Sequence, residues 1–164
     1  MVNYSNELIE FNGCPGCAYA RGEFSLPCGI AYQNEMVVLS QDWELPIPGF
    51  MIVSTVKHAE KFEELSKEEQ IEVYSVVDKT IKILRDNKVC DRFNVLFEEK
   101  QDRHFHVWIM PRYEWMRELV GDIIDNVGKI LDYSKENFKN EETFKEIKRV
   151  SNLVKEGFNN IIVE

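Results

Sequence analysis

Long apolar runs are missing from this chain: none approaches the roughly 20 residues that a membrane-spanning helix requires, which excludes a helical membrane protein. Dense Lys/Arg clusters are missing as well. With a net charge of -9, the surface as a whole repels the phosphate backbone of long nucleic acids, while a small anionic ligand in a locally focused pocket stays open. The opening residues, MVNYSNELIEFNGC, lack the basic start, apolar centre and small-residue cleavage site of a secretory signal, so a cytoplasmic location is the expectation. Reduced thiols follow from that location. The four cysteines are therefore read first as metal ligands or small buried hydrophobes, and only then as disulfides. Internal repeats and low-complexity linkers are also absent. A chain of 164 residues that is 44% hydrophobic and 30% charged is expected to form one globular domain with a sizeable core.

What is present changes character along the chain. Residues 1 to 60 hold most of the Pro and Gly and three β-like runs: GIAYQ and EMVVLS around a polar Asn34 turn, then FMIVSTV after the turn signal Pro48-Gly49. A helix is expected from about 66 to 87, where Ser66 and Glu69 have capping-box spacing and Tyr74, Val77, Ile81 and Leu84 recur at helical intervals. FNVLFEE and HFHVWIM then read as an antiparallel strand pair. Beyond Pro111 the pattern is helical, with one apolar stripe from Met116, Leu119, Val120, Ile123, Ile124, Val127, Ile130 and Leu131, and a second from Phe144, Ile147, Val150 and Val154. The expected fold class is α+β, built on a five-stranded, mainly antiparallel sheet.

The stretch RHFHVWIMPR, residues 103–112, carries two of the three histidines. Side chains alternate along a strand, so His104, His106, Trp108 and Met110 share one face and Phe105, Val107 and Ile109 the other; same-face neighbours lie roughly 7 Å apart. The fully apolar face is assigned to the core. The imidazole face then looks into a cleft, a metal site or a helix interface, because burying an unpartnered imidazole costs about 1 to 3 kcal/mol. Structural histidines with satisfied partners are the alternative.

HFHVWIMPR resembles the signature of the histidine triad (HIT) family, His-φ-His-φ-His-φ-φ, often continued by Pro-Arg. The likeness extends upstream through CPGC, the strand hairpin, Asp42 before the Pro-Gly turn, a strand, and His58 before a helix, covering about residues 12–112. The resemblance implies a nucleotide-binding domain over residues 1–112, with 113–164 a helical extension packed on the same domain. It also implies that His106, the middle histidine, is the nucleophile. A neutral imidazole with a pKa near 6.5 is mostly deprotonated at pH 7, so it attacks the α-phosphorus of a nucleotide without a separate base. The product is a nucleotidyl-His106 phosphoramidate, released by water or by a second acceptor. Trp108 stands where the third histidine is expected, which removes a hydrogen-bond donor to phosphate or leaving group. Some branches of the superfamily, hexose-1-phosphate nucleotidyltransferases among them, also lack that histidine and keep the middle one. Trp108 reads equally as core filling or as a wall of the nucleotide pocket.

Cys14 and Cys17, at Cys-x-x-Cys spacing, supply half of a tetrahedral zinc site. By resemblance to a zinc-bearing branch of the family, His58 is the third ligand and His104 the fourth. Such a closed site is structural and ties the N-terminal loop to the catalytic strand. Cys28 and Cys90 are expected to be buried. Asp42 resembles the position that binds the ribose hydroxyls, a diol suiting a carboxylate that accepts two hydrogen bonds; the alternative is a turn-forming Asp. Arg112 either reaches phosphate or makes a rim salt bridge. The connector EEKQDR departs from the family's Gly-rich loop, having no Gly, Ser or Thr. Glu98 and Glu99 would repel a polyphosphate tail if they faced it, with Lys100, Gln101 and Arg103 to compensate.

The leading function is thus a nucleotide hydrolase or nucleotidyl transferase similar to the diadenosine-tetraphosphate-type hydrolases, with a nucleotide or dinucleoside polyphosphate as substrate. A zinc-stabilised nucleotide-binding module with little or no catalysis is the alternative. A third reading is an interaction protein built on the helical region 114–158. Many family members pair through a helix and a sheet edge, so a homodimer is expected.

Overall fold

The computed structural model describes residues 2–99 and 103–160, so Lys100 and Gln101 lie outside the described residues. In chain order the elements are α1 (Pro15–Ala20), β1 (Ile30–Gln33), β2 (Val37–Gln41), β3 (Met51–Thr55), a 3-10 turn (Phe62–Glu64), α2 (Lys67–Asp86), β4 (Phe93–Glu98), β5 (His106–Pro111), α3 (Glu114–Val120), a second 3-10 turn (Ile124–Asn126), α4 (Val127–Asn137) and α5 (Glu141–Asn159). The five strands form one sheet in the order β1-β2-β3-β5-β4, and every neighbouring pair is antiparallel. This is the α+β fold that the sequence pattern calls for.

The capping box does start α2: Ser66 Oγ accepts the Glu69 N–H at 3.1 Å, and the Glu69 carboxylate accepts the Ser66 N–H at 2.7 Å. The helix buries Val73, Val76, Val77, Thr80, Ile83 and Leu84. Together with α5 it covers the sheet face that presents Leu39, Met51, Val53, Val107 and Ile109. Gly157 lets α5 approach closely, since a Cβ there would lie 2.7 Å from Ile83 Cδ1. Tyr74 does not join the buried stripe; it lies on the outer side of α2, 53% exposed.

The opposite face is not simply an open cleft. Met110 is fully buried there with Leu45, Ile47, Phe50, Met116, Ile123 and Ile130, and Trp108 packs against this second cluster. A third cluster of Ile9, Tyr19, Leu26 and Val38 covers the same face near β1 and β2. Layers on both sides explain why all five residues of β2 are buried. The helical stripe beyond Met116 is interrupted: Gly121, at φ +70°, ends α3 in a conformation that side-chain-bearing residues rarely adopt, and α4 restarts at Val127. Leu119 and Ile124 are consequently exposed. Pro111 is the last residue of β5 and does not break it, because it sits opposite Phe93 at the far end of the ladder.

Candidate functional site

β5 begins at His106, so the two histidines are not two rungs of one strand. His104 precedes the strand and is buried, with its ring wedged between the end of β3 and the start of α1. Its Nε2–H donates to the Thr55 carbonyl at 2.7 Å, with Thr55 Oγ1 at 3.2 Å. That bond fixes the tautomer and leaves the lone pair on Nδ1. Burial lowers the pKa of His104, which keeps the ring neutral and fit to act as a ligand.

The Nδ1 atom of His104 faces two sulfurs, Cys14 Sγ at 3.4 Å and Cys17 Sγ at 3.5 Å, and His58 Nδ1 is 3.3 Å from Cys17 Sγ. All four ligand atoms lie within 4.8 Å of one another. Bond lengths of about 2.3 Å to sulfur and 2.0 Å to nitrogen place neighbouring ligands of a tetrahedral ion roughly 3.5 Å apart, so the spacing fits a metal. Burial, and secondarily Cys14, push the Cys17 thiol up, an effect that a divalent cation between the sulfurs would reverse. Pro15 at the first position of α1 starts the short helix that presents Cys17, and Cys14 stands at its N-cap position with its thiol free of any capping bond. Gly16 is required by contact: a Cβ there would meet His104 Cγ at 2.5 Å.

Strand register defines the working face around His106. His106 lies opposite Ser54 on β3 and Glu98 on β4; one step along, Trp108 lies opposite Ile52 and Leu96. Paired residues in antiparallel strands project to the same side. His106 Nδ1–H donates to the His104 carbonyl at 2.9 Å, which leaves Nε2 as the nitrogen with the lone pair in the neutral ring. Glu98 Oε2 approaches that Nε2 to 2.6 Å. Glu99 turns away, accepting the Phe62 N–H at 2.9 Å. On the same face, Asn94 Nδ2 is buried without an acceptor among the described residues.

The remaining expected residues divide. Trp108 is half-buried and meets Phe50 edge-on at 5.4 Å, so it serves the second core cluster while its ring centre stays 6.2 Å from that of His106. Asp42 forms a turn: its Oδ1 accepts the Glu44 and Leu45 N–H groups at 2.8 and 2.7 Å. Burial nevertheless pushes its carboxyl up to about 7. Arg112 is exposed and six residues from His106, about 20 Å along the strand, so it is not brought to that imidazole. Cys28 and Cys90 are only partly buried; Cys28 contacts Tyr4 Oη at 3.3 Å, and the Cys90 thiol points to the Arg92 carbonyl at 3.1 Å. A hollow of about 370 Å³ between Pro48, Trp115, Phe138 and Arg149 lies beyond the other end of β5 and contains none of the site residues.

Sequence reasoning missed Thr55 and saw Glu98 only as a charge. Their roles depend on strand pairing, which composition does not report. Gly16 was legible in principle, as the small residue inside Cys-x-x-Cys.

No family model matches the chain. An uncharacterised HIT-like protein of Methanocaldococcus jannaschii is 31% identical over 113 residues, which span 65% of this chain and 84% of the relative. Among solved structures, a histidine triad nucleotide-binding protein of Sulfolobus tokodaii, described as hypothetical, superposes with a TM-score of 0.63 at 19% identity, over 90% of this chain and 93% of that one. A zinc-bound histidine triad family protein of Mycobacterium smegmatis gives 0.59 at 16% identity, covering 87% and 96%. The diadenosine triphosphate hydrolase of Plasmodium falciparum gives 0.55 at 14% identity, covering 80% and 77%.

Proposed function

The chain belongs to the HIT-like family, and on that footing we propose that it is a nucleotide hydrolase or nucleotidyl transferase that acts at an α-phosphate through a covalent intermediate on His106. One observation carries the reading: Nδ1–H of His106 is committed to the His104 carbonyl at 2.9 Å, so the neutral ring offers Nε2 as its nucleophilic nitrogen. A nucleoside polyphosphate or dinucleoside polyphosphate is the substrate class. Asp42 is assigned to the ribose diol, its second oxygen remaining beside the turn that Oδ1 holds, and Trp108 to a wall of the nucleotide cleft. Arg112 is left out because of its distance.

Cys14, Cys17, His58 and His104 would hold zinc as a closed structural site, the chemistry supplied being cross-linking of α1 to the approach of β5. The four donors suit that ion better than magnesium or calcium, which prefer oxygen. A homodimer is assigned to the β4 edge. Val95 and Phe97 on that strand are 44% and 40% exposed, and Ile71 and Tyr74 on α2 are 64% and 53% exposed, an apolar margin suited to a second copy. A cytoplasmic setting accords with four free cysteines.

Incubation with a labelled dinucleoside polyphosphate, followed by denaturing capture, tests the mechanism: a nucleotidyl adduct forms on wild-type protein and is lost in His106→Ala. Rapid turnover that persists in His106→Ala sinks it. The second reading, a zinc-stabilised binding module, is favoured by Glu98 standing on the nucleophilic nitrogen at 2.6 Å. Tight nucleotide binding without turnover across a broad substrate panel would select that reading instead.

A further inference from the structure

Glu98 and His106 face each other across the β4–β5 ladder, and Glu98 Oε2 lies 2.6 Å from His106 Nε2. A carboxyl group, able to hold or release one proton, thus stands directly against the nitrogen that the functional reading makes the nucleophile. The opposite ring nitrogen already donates its own hydrogen to the His104 carbonyl. Trp108, the next residue on that face of β5, is packed edge-on against Phe50, and among the described residues Glu98 supplies the carboxyl group in contact with the reacting nitrogen.

We propose that Glu98 is a catalytic residue, the acid that protonates the leaving group when His106 attacks and the base that deprotonates water when the intermediate is hydrolysed. This rests on the nucleotidyl-histidine reading given above. In the first step the Nε2 lone pair forms an N–P bond at the α-phosphorus. The P–O bond to the leaving group breaks, its electron pair stays on that oxygen, and the Glu98 proton moves to it. In the second step Glu98 carboxylate takes one proton from water as the water oxygen bonds phosphorus. The N–P electron pair returns to Nε2, and the Glu98 acid is regenerated. Phosphorus must occupy the lone-pair axis where Oε2 now lies, so the carboxyl swings aside on arrival of substrate; its anchorage on β4 keeps it next to the reacting centre. Transfer is thereby coupled to clearance of the nucleophile.

The test uses aryl esters of a nucleoside 5′-phosphate whose phenols range from p-nitrophenol, which leaves unaided, to phenol, which needs a proton. The full-length protein and Glu98→Gln, a near-isosteric change, are compared by kcat/KM. With the phenyl ester, Glu98→Gln loses about 100-fold or more, as expected for a missing general acid, and with the p-nitrophenyl ester it stays within about threefold. Glu98→Asp, which keeps the carboxyl, recovers part of the phenyl-ester rate. Equal loss on every ester means that Glu98 only positions His106, and no loss on any means that it is a bystander; either overturns the proposal. A nucleotidyl-His106 adduct from the p-nitrophenyl ester in both proteins shows that the functional reading stands while Glu98 is judged. Its absence from wild-type protein overturns both.

Discussion

Replacing Gly16 by Ala sets two physical effects in opposition. In a solvent-exposed helix interior the change stabilises by up to about 1 kcal/mol. In α1, however, the added Cβ would lie 2.5 Å from His104 Cγ and 2.8 Å from both His104 Cβ and Nδ1. Carbon atoms rest at about 3.5 Å or more, so relief needs a movement of about 1 Å. His104 cannot give way cheaply, being buried and held to the Thr55 carbonyl at 2.7 Å. The helix must retreat instead, and it carries Cys14 and Cys17 with it.

Metal–ligand distances tolerate about 0.2 Å, so a displacement of about 1 Å disturbs both sulfur bonds or strains the helix that supplies them. Taking a 10- to 100-fold loss of affinity, typical when ligand orientation is disturbed, the cost is about 1.4 to 2.8 kcal/mol. Overpacking adds about 1 to 3 kcal/mol. Gly16→Ala is therefore expected to melt below wild type in zinc and to yield zinc faster to a competing chelator. Gly128→Ala is the control: it lies in α4 with no heavy atom within 4 Å of the added Cβ, and is expected to be neutral or stabilising. Unchanged zinc competition together with an unchanged or raised melting temperature in Gly16→Ala would refute the assignment of the cluster.

Asp42 has a carboxyl raised to about 7 when folded against about 4 when unfolded, so the folded state binds the extra proton between those values. Its contribution to stability is complete below about pH 4 and is lost as pH rises through 7, with a slope of at most about 1.4 kcal/mol per pH unit; Asp42→Asn should flatten that part of a urea-denaturation profile. Ser66→Ala removes the acceptor for the Glu69 N–H and should cost about 1 kcal/mol in the same assay. Phe97→Lys places a charge on the β4 edge and should shift the protein from dimer to monomer by light scattering; a wild-type monomer would refute the interface outright. Trp108→His should not accelerate turnover and should lose about 2 kcal/mol of stability, because the indole fills space against Phe50 that an imidazole leaves partly empty.

Local signals carried the fold well where one physical effect dominated. Ser66 with Glu69 located the start of α2, and the alternation of Phe105, Val107 and Ile109 identified the face against α2 and α5. The signals failed where two layers compete for one strand. Met110 and Trp108 alternate correctly, but the choice among a cleft, a metal site and a helix interface for their side stayed open; α3 and α4 fill half of it, and a sequence does not state which helices return to which face. Tyr74 has helical spacing but points outward, and only the place of α5 beside α2 explains which flank of the helix is covered. Of the site, the Cys-x-x-Cys pair and the two histidines were readable. The contact between Glu98 and His106 was not, since it comes from the pairing register of β4 with β5.

His104 links the two halves of the site through different atoms of one residue. Its ring turns Nδ1 toward Cys14 and Cys17 because Nε2 is spent on Thr55, while its carbonyl accepts Nδ1–H of His106 and so determines which nitrogen of the second ring keeps its lone pair. Two tautomers are thereby set by two backbone carbonyls, that of Thr55 for His104 and that of His104 for His106. A metal on the first ring would also hold the backbone that orients the second, which gives a closed, chemically inert coordination site a direct bearing on reactivity. Strand parity alone would have made His104 and His106 equivalent neighbours on a shared face. The break between them, with the strand starting only at His106, is what allows one imidazole to be buried against α1 while the other stays half-exposed beside Glu98.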